Sequence, residues 1–281
     1  MIVLVLSTAG LLYGGDKVQI ITDDANFCQT LVKVLPFQGG VVAANTRNEI
    51  LLIAENGIIV QRTGGFGSGR ESYGKLNDIW TFSGINIYGV DFDRARVIKY
   101  DRFLNFKGVF ENNPNWPVDA QFIQPLGLRI AQTSEWFIID KVDQKLIKFD
   151  SRGEPEFMLF FTQGGDHTYF QDLQLLEINT ELRHLYLYDA YLTRLFIIDY
   201  WGNEISSRND ITDITSIFSS GGSAYYLSGK NIFHIEGEDH SEFIHREMLQ
   251  LPGNLRSIAG GHKNQPLIIL TDEILIELHD K

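Results

Sequence analysis

The chain has 281 residues, 44% hydrophobic and 12% aromatic, with a formal net charge of −12 and a pI near 5.0. This composition suits a folded globular protein with a core large enough to stand without disulfide or metal staples. It speaks against nucleic acid or anionic lipid as the main partner, because phosphate recognition rests on clustered Lys and Arg.

The first stretch is residues 2–12, IVLVLSTAGLL, an apolar run that precedes a Gly-Gly-Asp break. It is too short to span a bilayer and no basic segment leads it. Residues 1–14 therefore read as a signal peptide or an apolar strand, with export preferred. That preference places the protein in the periplasm or outside the cell, with the cytoplasm as the alternative. Residues 15–281 read as one domain, with no linker inside it. Cys28 is the single cysteine, so neither an intrachain disulfide nor a thiolate metal cluster can form. Within NFCQTLVKVL it is expected to be a small core residue on a strand.

Short apolar or alternating runs bounded by Gly, Asn, Asp or Pro fill the rest of the chain, which is the pattern of strands and turns. No amphipathic helix stands out. Three copies of one unit lie in INIYGVDFDRARVIKYD, EWFIIDKVDQKLIKFD and HLYLYDAYLTRLFIID. Their first aspartates, Asp91, Asp140 and Asp189, are 49 residues apart. A basic residue follows five positions later (Arg96, Lys145, Arg194), and a second aspartate ten positions later (Asp101, Asp150, Asp199). Weaker copies lie in NEILLIAENGIIVQRTG, SAYYLSGKNIFHIEG and QPLIILTDEILIELHD, which makes six units. A candidate inner strand precedes each: residues 39–45, 76–82, 125–131, 172–178, 214–220 and 254–260. Repeats of this period point to the blades of an all-β propeller, here a six-bladed β-propeller of four-stranded antiparallel blades. The last unit ends after three strands. Its fourth is expected from the N-terminal run DKVQIITD or FCQTLVKVL, closing the ring against ILIELHD.

The run GGFGSGRESYGKLNDIW, followed by IYGVDFDRARVIKYD, resembles the NHL repeat of six-bladed propellers. The glycine after the second aspartate matches at Gly153 and Gly202, while Leu104 stands there in the second blade. The resemblance is good for blades 2 to 4 and implies the fold. NHL-like propellers serve as ligand sensors, scaffolds and, less often, lyases or hydrolases, so it does not choose among activities.

The repeated pairs Asp91 with Arg96, Asp140 with Lys145 and Asp189 with Arg194 read as structural, because a hairpin brings each pair together and a catalytic residue is needed once. Some NHL-like lyases hold zinc through histidines, but the seven histidines here are dispersed and no HxxH or HExxH occurs. No cofactor is expected. The alternative is calcium or another hard cation in the central channel, held by Asn45, Asp78 and Glu177, the polar residues of otherwise apolar inner strands.

Blades 2 to 4 carry longer second-to-third turns than blades 1, 5 and 6, whose turns are assigned to Glu55-Asn56-Gly57, 228–231 and Asp272-Glu273. The connections before blades 2 to 4 are long as well. In a four-stranded meander both kinds of loop emerge on one face, and loops on a rigid scaffold are where binding is usually placed. Candidate binding residues there are Phe66, Arg70, Tyr73, Asp93, Trp116, Asp119, Asp143, His167, Tyr169 and Tyr191. Aromatics with Arg suit a protein or glycan partner. The expected function is a non-enzymatic binding or scaffold propeller, a monomer or one part of a larger assembly. A metal-dependent hydrolase or lyase and a sensor for a small molecule such as a sugar are the alternatives.

Overall fold

A computed structural model describes residues 17–82, 84–159, 170–220, 222–228, 231–235, 245–246, 253–260 and 266–279. Six four-stranded antiparallel sheets form the ring. Blade 1 comprises Leu31–Phe37, Gly40–Asn45, Glu49–Ala54 and Ile59–Gly64. Blade 2 comprises Leu76–Phe82, Asn86–Asp91, Arg96–Asp101 and Phe106–Glu111. Blade 3 follows with Pro125–Ile130, Trp136–Asp140, Lys145–Phe149 and Pro155–Leu159. Blade 4 has Leu173–Asn179, His184–Asp189, Arg194–Asp199 and Glu204–Arg208. Blade 5 has Ile214–Ser220, Ser223–Ser228, Asn231–Ile235 and the two-residue His245–Arg246.

Blade 6 is built from Leu255–Ala259, Leu267–Thr271, Leu275–His279 and, as its outer strand, Lys17–Thr22 from the other end of the chain. Lys17 pairs with His279 and Ile20 with Ile276, antiparallel, as the three-strand last unit predicts. Each inner strand packs on the next around the ring, and that of blade 6 packs on that of blade 1. The closing strand covers the edge of Leu275–His279 that would otherwise lie open on the outside of blade 6.

Blade 1 differs from the sequence reading by one strand. Its inner strand is Leu31–Phe37, and residues 40–45 form the second strand. Glu55-Asn56-Gly57 then joins the third strand to the outer one. The second-to-third turn is Thr46-Arg47-Asn48, also short. Cys28 is buried as expected, but it ends a four-residue helical turn, Ala25–Cys28, capped by the Asp24 side chain.

All six inner strands share one irregularity. Their first residue pairs with the last residue of the second strand, and the register then slips by a bulge, as between Leu76 and Asp78 or Leu255 and Ser257. The bulge turns the second and third residues of each inner strand toward the ring axis. The fifth residue faces the axis too, by strand alternation. The fourth residues, Val34, Ile79, Leu128, Leu176, Ile217 and Ile258, point away from it and are buried between blades. The hydrophobic core is accordingly a set of inter-blade layers around a channel.

Candidate functional site

Inner strands begin at one face of the ring, here the upper face, where the second-to-third turns and the inter-blade connections also lie. One position organises this face. Asn45, Asp91, Asp140, Asp189, Ser228 and Thr271 each end a second strand and pair with the first residue of their inner strand. Asp140 accepts from the amides of Ile123 (2.8 Å) and Gln124 (2.6 Å) in the incoming connection, and from Asp143 N (3.0 Å) in its own hairpin. Asp189 does the same with Gln171 (2.6 Å), Asp172 (3.2 Å) and Leu192 (2.9 Å). Asp91 takes Gly74 N at 3.1 Å. All three carboxylates are fully buried. Buried acceptors must be satisfied, so each aspartate fixes its connection onto the blade below.

The basic residues act along the same seam with more varied partners than the repeat suggests. Arg96 pairs directly with Asp91 (Nε to Oδ2, 3.1 Å) and donates to Ser72 O. Lys145 instead gathers Asp119 O (2.9 Å), Gln121 O (2.7 Å) and Asp143 Oδ2 (2.7 Å). Arg194 bonds Glu204 and the Ser207 hydroxyl. In blade 1, where Asn replaces Asp, Asn45 Oδ1 accepts from the amides of Arg47 and Glu49 in its own turn.

The candidate binding residues divide. Phe66 and Tyr191 are exposed, at 71% and 70%, and Arg70, Asp93, Asp119 and Asp143 are exposed with them. Arg70 lies over the Phe106 ring at 4.2 Å. Tyr73 and Trp116 are buried and belong to the scaffold. Tyr73 hydrogen-bonds Tyr100 (3.1 Å between hydroxyls), and its hydroxyl lies where a side chain at Gly89 would stand, 2.1 Å from an added Cβ. Trp116 packs on Phe110 and Phe149 and donates to Glu154 (3.0 Å). His167 and Tyr169 lie outside the described residues. Residues not singled out from sequence complete the exposed set: Val118 (81% exposed), Ile123 and Val142. Exposed aliphatics at the tips of connections were the signal for them. Lys145 holds the loop segment carrying Val118 and Asp119 against the Asp143 turn, and the Lys141–Asp172 ion pair joins that turn to the connection before blade 4.

Below this face lies the channel. Asp78 and Glu177 line it, as expected, but Asn45 does not, being on a second strand. The inner strands also carry two cations, Lys33 and Arg129. Arg129 donates from Nη1 to Asp78 Oδ2 (2.8 Å) and from Nε to Glu177 Oε2 (2.9 Å), with its guanidinium 4.6 Å from the Trp80 ring centre. Lys33 pairs with the other Asp78 oxygen, and the Leu128 amide donates to Asp78 Oδ2 as well. One network thus links blades 1 to 4. Burial pushes the Asp78 carboxyl up, but Lys33 and Arg129 together hold it below the ordinary range. Burial pushes Glu177 up, and Arg129 offsets this only in part. Burial and the nearby Arg129 charge push Lys33 down. The two carboxylates that could gather a hard cation therefore already hold a guanidinium between them. Among the described residues no three His, Cys, Asp or Glu side chains gather as a metal-ligand group.

The ring defines the chain as an all-β, six-bladed β-propeller, as the NHL resemblance implied. No family model matches it, and no curated protein matches it. Solved structures share the fold. Streptogramin B lyase superposes with a TM-score of 0.62 at 11% identity, over 94% of this chain and 97% of that one. A protein of unknown function from Bacteroides thetaiotaomicron gives 0.63 at 10% identity, over 94% and 76%. The Cps50 (Swd1) β-propeller domain of Myceliophteria thermophila gives 0.59 at 9% identity, over 94% and 100%. A lyase and the Cps50 (Swd1) propeller domain match about equally well, so the likeness defines the fold and leaves activity to the site.

Proposed function

We propose that this propeller is a binding protein that holds a protein partner on its upper face, across the loops of blades 2 to 4. The observation that carries the reading is the exposed group Val118, Ile123, Val142 and Tyr191 on loops fixed by the buried Asp140 and Asp189. Preordered loops lose little entropy on binding, which favours affinity. Exposed apolar side chains rimmed by Asp119 and Asp143 suit a partner surface of aliphatic and basic residues. Export belongs to this reading through residues 2–12, and N-terminal sequencing of protein recovered outside the cytoplasm tests it.

The partner surface is tested with three immobilised proteins in the same cell extract: the wild type, Val142→Glu/Tyr191→Glu, and Trp201→Glu. Trp201 is exposed on the opposite, lower face. The expected result is a partner held by the wild type and by Trp201→Glu and lost from the double variant. The same proteins captured by all three would sink the reading.

A further inference from the structure

We propose that the channel is a binding site for a small organic carboxylate, independent of the partner surface above it. The cavity at the ring axis measures about 220 Å³, room for about seven waters at about 30 Å³ each. Its walls are the rigid inner strands, and the two sides differ. Blades 1 to 4 contribute the ion network. Blades 5 and 6 contribute the short Thr215, Ser216, Ser257 and Ala259 together with Phe218 and Arg256, and no carboxylate among the described residues.

The balance of donors and acceptors sets the ligand class. Among the described residues three cations line the cavity, Lys33, Arg129 and Arg256, against two carboxylates, Asp78 and Glu177. Asp78 is largely engaged, since it already accepts from Lys33, Arg129 and the Leu128 amide. Gly127 permits that convergence, as a Cβ there would stand 3.3 Å from Asp78 Oδ2. Arg129 is divided between the two acids. The surplus is in donors. Asp78 takes one of the three ammonium protons of Lys33. Arg256 uses Nη1 on the carbonyls of Cys28 (3.2 Å) and Gln29 (2.6 Å), and its remaining N–H groups meet no acceptor among the described residues. The Trp80 indole N–H is buried without an acceptor among the described residues, an uncompensated donor in the channel wall. One surplus positive charge, extra N–H donors and a row of hydroxyls fit an acceptor-rich monoanion, and the volume limits it to a small one.

The test is calorimetric titration of the full chain with acetate, lactate and pyruvate, with inorganic phosphate and glycerol for comparison. Saturable binding of at least one carboxylate is expected. It weakens about tenfold or more in Arg256→Gln and in Lys33→Met, the loss of one charge-assisted hydrogen bond, and stays unchanged in Trp201→Ala on the lower face. Should Lys33→Met fail to fold, Arg256→Gln decides, because its side chain is half-buried at the channel rim. No saturable heat with any carboxylate overturns the proposal. So does equal affinity in wild type and Arg256→Gln, or binding of phosphate or glycerol alone.

Discussion

Arg129 on blade 3 and Asp78 on blade 2 meet inside the channel at 2.8 Å, and Lys33 of blade 1 takes the other Asp78 oxygen. Asp78 is thus the shared counter-ion of the buried Arg129 and the half-buried Lys33. Asp78→Ala leaves both without it, and removing one partner of a buried pair costs about 3–5 kcal/mol. Urea unfolding should show that loss. Asp78→Asn keeps one acceptor oxygen without the charge and is expected to fall between wild type and Asp78→Ala. A change below about 1 kcal/mol for Asp78→Ala would show that the network does not join the blades.

Ring closure can be read through Cys28. Its thiol is fully buried beside Ile21, Leu275 and Ile268. Burial and the charge of Asp24 push its pKa up to about 11. Since the thiolate is the reactive form, the native protein should label very slowly at neutral pH. Ile21 sits on the closing strand Lys17–Thr22 and is itself buried. Ile21→Asp places an unpaired charge in this layer, loosens the strand, and is expected to speed labelling of Cys28 well before global unfolding. Equal rates in both proteins would mean that the closing strand does not guard this layer.

Much of the ring was legible because one buried aspartate recurs with the same pairing in three blades, and its spacing survives in the sequence. Blade 1 was misread for the same reason. There the position holds Asn45, and the tempting Glu55 belongs to a different turn. That slip of one strand put Leu31–Phe37 outside the pattern and hid Lys33 from the channel. Arg129 was visible in PLGLRIA as a charge in an apolar strand, but its two acids lie 51 and 48 residues away, a pairing that only the closed ring defines. On the upper face, residue type alone did not separate Tyr191, which is exposed, from Tyr73, which fills a gap over Gly89.

Acid should weaken the fold through the lower-face turns. Asp101, Asp150 and Asp199 each accept from two amides of the third-to-outer turn, as Asp101 does from Phe103 and Asn105 (both 2.9 Å). Desolvation pushes Asp101 up, but the Asn105 side chain, these amides and Lys107 together bring it down to about 2. Asp150 is held low by the Glu154 amide and Arg152. Desolvation pushes Asp199 up, yet Asn203 and the turn amides hold it below the ordinary range. An unfolded aspartate binds its proton near pH 4. The folded state therefore binds fewer protons over this window, so this stabilisation is complete above about pH 4 and lost as pH falls toward about 2. Urea midpoints at about pH 6 and about pH 3 should differ, and the difference should shrink in Asp101→Asn. An identical pH dependence in that variant would remove Asp101 from the account.

The glycine position of these turns gives a direct test of why blade 2 departs from the pattern. Gly153 and Gly202 have φ of 84° and 89°, and a Cβ on them would stand 2.9 Å from Phe110 Cε2 and 2.7 Å from Leu159 Cδ2. Both the left-handed backbone and the crowding oppose a side chain, so Gly153→Ala should cost about 1–3 kcal/mol. Leu104 holds the same place with φ 60°, yet its side chain is buried in the layer containing Tyr100 and Ile98. The strain there is about 1–2 kcal/mol, whereas removing a buried leucine costs about 2–5 kcal/mol. Burial outweighs strain, so Leu104→Gly should destabilise the protein although it restores the repeat's own residue. Thermal or urea unfolding of the two variants checks both signs. A Leu104→Gly protein more stable than wild type would show that backbone relief exceeds packing at this turn.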